Sequence, residues 1–129
     1  MNEMQILIVD DEVEFASTLV ERLALRGIEA RSANRGVEAL ALVKARIPDV
    51  VILDLKMPDL SGLEVLARIK AIDPSIEVIM LTGHGSSAAG IDGMERGAFD
   101  YLMKPVDLKA LLEKIEQAYK KRITEKGRS

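Results

Sequence analysis

The sequence predicts an α/β fold: a doubly wound, five-stranded parallel sheet in strand order 2-1-3-4-5, with five helices. Three observations lead there. Short apolar runs recur without alternation, at "ILIV" (Ile6–Val9), "VVIL" (Val50–Leu53) and "VIML" (Val78–Leu81). Such runs suit parallel strands covered on both faces. Helical patterns fill the gaps between them, and the short connections favour crossovers that put helices on both sides of the sheet.

The elements follow in order. After the first strand, Phe15, Ala16, Leu19, Val20, Leu23 and Ala24 form one apolar helical face. Asp11 is its predicted cap, with Glu14 three positions on. "IEARSA" (Ile28–Ala33) reads as a weaker second strand. Asn34 is the predicted cap of a second helix carrying Val37, Leu40 and Val43 on one side. That helix stops before "IPD" (Ile47–Asp49), because a proline disfavours helical geometry in the residue before it. The third strand leads to "SGLE" (Ser61–Glu64), a capping-box pattern that opens a third helix ending at Asp73-Pro74. The fourth strand is followed by "SSAAGIDGMERGA" (Ser86–Ala98), where Gly90 and Gly93 each cost roughly 1 kcal/mol relative to alanine inside a helix. The expectation is a short or mobile helix, read either as plain sequence drift or as a segment that must shift. "DYLM" (Asp100–Met103) is the fifth strand. Leu108, Leu111, Leu112, Ile115, Ala118 and Tyr119 mark the last helix.

The bulk properties narrow the function. A chain of 129 residues, 48% hydrophobic, suits one compact domain with a real core. We expect that domain over residues 1–122, with 123–129 a basic tail or the start of a linker. A net charge of −3 argues against direct nucleic-acid binding. The absence of cysteine excludes disulfides and thiolate chemistry and fits a reducing cytoplasm. No basic segment precedes the first apolar run, and no run approaches the roughly 20 residues of a membrane span. The expectation is a soluble cytoplasmic protein.

In a parallel sheet of this kind the strand carboxyl ends share one edge, and ligands bind there. The residues gathered at that edge are Asp10 and Asp11, Asp54, Thr82 with Gly83, and Lys104 with Pro105. Each has a plainer reading alone: a helix cap, a turn, a solvated lysine. Their convergence from four strand ends is the informative feature. Carboxylates about 4 Å apart at an effective dielectric near 20 repel by roughly 4 kcal/mol per pair. The cluster therefore needs raised pKa values or a cation. All its donors are hard oxygens, which favours Mg²⁺ (or Mn²⁺) over zinc. Mg²⁺ takes one or two protein carboxylates and accepts a phosphoryl oxygen. Lys104 can pair with Asp54 or with a phosphoryl oxygen, and Thr82 can donate a hydroxyl hydrogen bond to the same group. An aspartate can also act as a nucleophile and form an acyl phosphate.

The motifs "LIVDDE", "VILDLKMPDLSGLEVL", "IMLTGHG" and "FDYLMKP" together resemble a response-regulator receiver domain of two-component signalling, chemotaxis-regulator-like and flavodoxin-like in fold. The resemblance covers about Met4 to Tyr119. It implies that Asp54 accepts a phosphoryl group from a phosphohistidine on a sensor histidine kinase or phosphotransfer protein. It implies that Asp10, Asp11, Asp54 and the backbone carbonyl of Lys56 hold Mg²⁺. Thr82 matches the switch hydroxyl, Tyr101 the switch aromatic and Lys104 the site lysine, with a cis Lys104-Pro105 bond. Lys56 and His84 occupy positions that tune phosphoryl lifetime, although both also read as solvent-facing loop residues. The output partner or output domain would meet the face made by the fourth helix, fifth strand and fifth helix, and a homodimer is compatible with the pattern. No turnover of a separate substrate is implied.

Three rivals fare worse. A haloacid-dehalogenase-like phosphatase needs a second acid two residues past its nucleophile, where this chain has Lys56. A flavin-phosphate binder cradles its anion after the first strand, where "DDE" would repel it. A docking module that is never phosphorylated would not need the acid, threonine and lysine set.

Overall fold

A computed structural model of the chain describes residues 4–83 and 87–127. The elements alternate as β1 (Gln5–Val9), α1 (Val13–Ala24), β2 (Glu29–Ala33), α2 (Gly36–Ala45), β3 (Val50–Asp54), α3 (Gly62–Ile72), β4 (Glu77–Thr82), α4 (Ser87–Glu95), β5 (Asp100–Met103) and α5 (Leu108–Gly127). The five strands form one sheet in the order β2-β1-β3-β4-β5, all neighbours parallel, as the sequence predicts.

The apolar runs are unbroken because both faces of the sheet are covered. Successive side chains of a strand point to opposite faces. Leu7, Val9, Val51, Leu53, Val78 and Met80 pack on one face with Leu40, Val43, Leu66 and Ile69 from α2 and α3. Ile6, Ile8, Val50, Ile52, Ile79 and Leu81 pack on the other with Leu19, Leu23, Leu111 and Ile115 from α1 and α5. Both sets are buried.

Helix capping departs from the sequence reading at two of three places. Ser61 Oγ accepts the N–H of Glu64 at 3.1 Å, as expected for α3. Asp11 does not cap α1: the N-cap is Glu12, whose N–H instead donates to Asp10 Oδ1 at 2.9 Å. Asn34 does not cap α2 either. Its side-chain amide donates to the Asp10 carbonyl at 2.9 Å, which ties β2 to the turn after β1. The first-turn N–H groups of Gly36 and Val37, which have no partner within α2, donate to Asp59 Oδ1 and Oδ2 at 2.8 and 3.0 Å. A carboxylate brought in from a distant loop satisfies two donors at once and complements the helix dipole, which one short local side chain could not do.

The opposite rim of the sheet carries a separate polar network. Arg122 of α5 is buried, with its guanidinium on Asp49 Oδ1 (3.1 Å), Asp73 Oδ2 (3.2 Å) and Ser75 Oγ. Asp49 Oδ2 also accepts the N–H of Gln5 at 2.8 Å. This arginine lies in the stretch "KKRITEKGRS", which composition alone makes solvent-facing; helix α5 continues through it to Gly127.

Candidate functional site

The register of the sheet sets the site. Asp54 sits opposite Leu81 at the last pair of β3 and β4, and Thr82 opposite Met103 at the last pair of β4 and β5. The main chain stays ordered past these ends: Asp10 N–H donates to Ala33 O (3.0 Å), Leu55 N–H to Leu81 O (3.1 Å) and Lys104 N–H to Thr82 O (2.8 Å). Asp10, Asp54, Thr82 and Lys104 are thus carried to one rim by four different strands. The Lys104-Pro105 bond is cis.

Asp10, Asp11 and Asp54 each offer a carboxylate oxygen, and the three oxygens lie within 4.8 Å of one another. Asp10 and Asp54 are buried while Asp11 faces solvent. Burial is the main reason that the Asp54 carboxyl is pushed up to about 6. The Lys56 N–H on its Oδ1 (3.2 Å) pulls the other way, the Asp10 charge pushes up, Lys104 opposes and Asp11 adds a further push. Thr82 Oγ1 is buried with no hydrogen-bond partner among the described residues, so a donor is held ready at the rim.

Lys104 is the local counter-charge, and its geometry is uneven. Nζ lies 2.8 Å from Glu12 Oε1, 2.9 Å from Asp10 Oδ2 and 3.8 Å from Asp54 Oδ2. It also sits 4.9 Å from the centre of the Phe15 ring, within cation–π range. Burial opposes the charge of this ammonium, but the hydrogen bonds to Glu12 and Asp10 and the charges of Asp10 and Asp54 outweigh it and raise its pKa. An opening of about 270 Å³ is lined by Asp11, Glu12, Asp54, Lys56, Gly83 and Lys104.

Tyr101 of β5 is half-buried and packs on the α2–α3 face of the core. Its ring lies against Gly90 of α4, where a β-carbon would come within 3.0 Å of it. Gly93, one turn on, faces Met80. The Lys56 side chain is exposed beside the cluster. His84 lies outside the described residues.

Sequence reasoning gave no role to two residues here. Glu12 stands in "DDE" directly after the acidic pair, and that position was its only signal. Asp59 stands in "MPDLSG", where a turn aspartate is unremarkable. The N–H groups of Val37 and Gly36 hold its carboxyl below the usual value, so the loop carrying Asp54 is anchored to α2.

A sequence profile described as "Response regulator receiver domain" matches residues 6–116. Among curated proteins, the chain is 34% identical over 116 residues to the transcriptional regulatory protein ZraR of Klebsiella oxytoca, covering 90% of this chain and 26% of that protein. It is 38% identical over 112 residues to the response regulator MprA of Mycobacterium leprae, covering 87% of this chain and 49% of that protein. The chain thus spans about a quarter of the length of the ZraR proteins, 26% in the Klebsiella case. Among solved structures, a response regulator receiver domain protein from Clostridium thermocellum superposes with a TM-score of 0.89 at 38% identity, covering 94% of this chain and 98% of that one. NtrX from Brucella abortus superposes at 0.90 with 33% identity, covering 95% of this chain and 28% of that one.

Proposed function

The chain belongs to the response-regulator receiver family of two-component signalling, and from that membership we propose that Asp54 is its phosphoacceptor. The observation that carries the reading is a buried carboxylate at a strand end, flanked by two further carboxylates, an ammonium and a buried hydroxyl with no partner among the described residues.

The donor set fits a hard divalent cation: oxygens only, three of them within 4.8 Å, one held by a carboxyl whose pKa burial has raised. Asp10, Asp11, Asp54 and the Lys56 carbonyl would hold Mg²⁺, with Mn²⁺ as a substitute. When bound, the ion neutralises the cluster and withdraws charge from phosphoryl oxygens.

The chain's own residues do the rest. An Asp54 carboxylate oxygen forms a bond to phosphorus while the phosphorus–nitrogen bond of a donor phosphohistidine breaks, and the bonding electron pair stays on the imidazole nitrogen. With its pKa pushed up to about 6, Asp54 is mostly ionised at neutral pH and keeps its lone pairs available. The Lys104 ammonium turns to a phosphoryl oxygen, and Thr82 Oγ1 donates to another. Thr82 moving toward that group vacates space, Tyr101 follows, and the α4-β5-α5 face changes for an output partner or output domain. Lys56, exposed at the rim, and His84 tune access of the hydrolytic water and hence the lifetime of the acyl phosphate. We place the protein in the cytoplasm with a sensor histidine kinase or phosphotransfer protein as donor. It turns over no separate substrate. No helix among the described residues is long and apolar enough to cross a membrane.

Incubation with Mg²⁺ and phosphoramidate, followed by intact-mass measurement, tests this. Wild type should gain one phosphoryl group and Asp54→Asn none. Equal modification of both proteins would overturn the assignment of Asp54.

A further inference from the structure

Resting on that reading, we propose that Glu12 is a positioning residue that holds the Lys104 ammonium away from Asp54 until a phosphoryl group arrives. The Lys104 Nζ lies 2.8 Å from Glu12 Oε1, whereas its distance to the nearest Asp54 oxygen is 3.8 Å. The second short contact, to Asp10 at 2.9 Å, is on the same β1 side of the site, and so is the Phe15 ring. Three groups from the turn after β1 and the start of α1 therefore outbid the acceptor for the lysine.

Glu12 is suited to this task. Its N–H is fixed by Asp10 Oδ1 at 2.9 Å, so the backbone that aims the side chain is itself anchored. Its carboxylate stands outside the group of three acids that can share a metal ion, and so it stays free to pair with the lysine. Its side chain is 63% exposed, so water keeps the carboxylate ionised at little cost. An exposed ion pair also exchanges partners easily, because solvent compensates each departure. A phosphoryl group on Asp54 would bring oxygens into the 3.8 Å gap and compete with Glu12 for one cation. Glu12 thereby sets how strongly the resting state resists phosphorylation, acting through Lys104.

The test separates this role from a plain effect of negative charge near an anion. Lysine ¹⁵Nζ spectra of metal-free protein, assigned with Lys104→Gln, should show the Lys104 ammonium shifted and exchanging faster with water in Glu12→Gln. Calorimetry with Mg²⁺ and beryllofluoride, a phosphoryl mimic, should show binding about two- to fivefold tighter in Glu12→Gln, the range of a partly exposed ion pair. In a Lys104→Gln background the same substitution should change nothing, since the lysine that transmits the effect is gone. Unchanged affinity in Glu12→Gln, or a gain that persists without Lys104, would overturn the inference. Failure of wild type to bind the mimic would instead overturn the acceptor reading, and the metal-free spectra would still judge Glu12.

Discussion

At the end of β3, the Asp54 side chain is buried among other acids, and its raised pKa is a statement about stability as well as reactivity. Its folded-state value, about 6, lies above the ordinary 3.8. The folded protein therefore holds that proton more tightly than the unfolded chain. Its contribution to stability is fully present below about 3.8 and is lost as the pH rises through about 6. In metal-free protein, Asp54→Asn should melt higher than wild type at pH 8, and the difference should shrink as the pH falls below about 6. A constant difference across that range in calorimetric melts would contradict the assigned environment. Gly62 supports the same loop from behind. A β-carbon there would lie 2.4 Å from Leu55 Cα and 3.0 Å from the Asp54 carbonyl, both backbone atoms that cannot swing aside. Gly62→Ala should lower stability by about 1–3 kcal/mol and slow phosphorylation, read by denaturant melts and intact mass. The members of the site were legible in the sequence because parallel strands share a carboxyl edge. The preference of Lys104 for Glu12 over Asp54 was not legible, since it depends on about 1 Å between side chains and not on spacing.

Helix α4 shows what periodicity leaves out. From sequence, Gly90 and Gly93 read alike, as two residues that weaken a helix. Packing distinguishes them. A β-carbon at position 93 would lie 2.1 Å from Met80 Sδ, and Met80 is fully buried. One at position 90 would lie 3.0 Å from the ring of Tyr101, which is only half-buried and has somewhere to go. Gly93→Ala should therefore cost about 1–3 kcal/mol by overpacking the core. Gly90→Ala should leave the melt nearly unchanged while shifting the aromatic NMR signals of Tyr101. If both variants melt like wild type and Tyr101 is undisturbed, the helix tolerates side chains that this packing forbids. The second helix carries the same lesson. Its pattern located the element, but Asp59, which caps it, lies 22 residues past Val37. Only the folded chain brings the two together.

Across the whole molecule, polar groups concentrate at both rims of the sheet. The site occupies the carboxyl ends, and the Arg122 network joins α5 to the residues before β3 and β4. Removing one partner of a buried, hydrogen-bonded charge set leaves the others uncompensated. Arg122→Ala should destabilise by about 3 kcal/mol, measured by denaturant unfolding, while Mg²⁺ affinity per folded molecule stays unchanged. Loss of metal binding in the folded variant would mean that the two rims are coupled. The five-stranded order was legible from unbroken apolar runs and short connections. The role of this arginine was not, because it stands in a charge-rich stretch whose helical face only packing defines.

The Arg122 network bears on how such a module can be recombined. The match to the receiver-domain profile ends at residue 116, six positions before this arginine. A chimera spliced at the edge of that match would keep every residue of the candidate site yet strand Asp49 and Asp73 without their shared cation. The safer seam lies well past Arg122, so that α5 keeps its grip as a clasp.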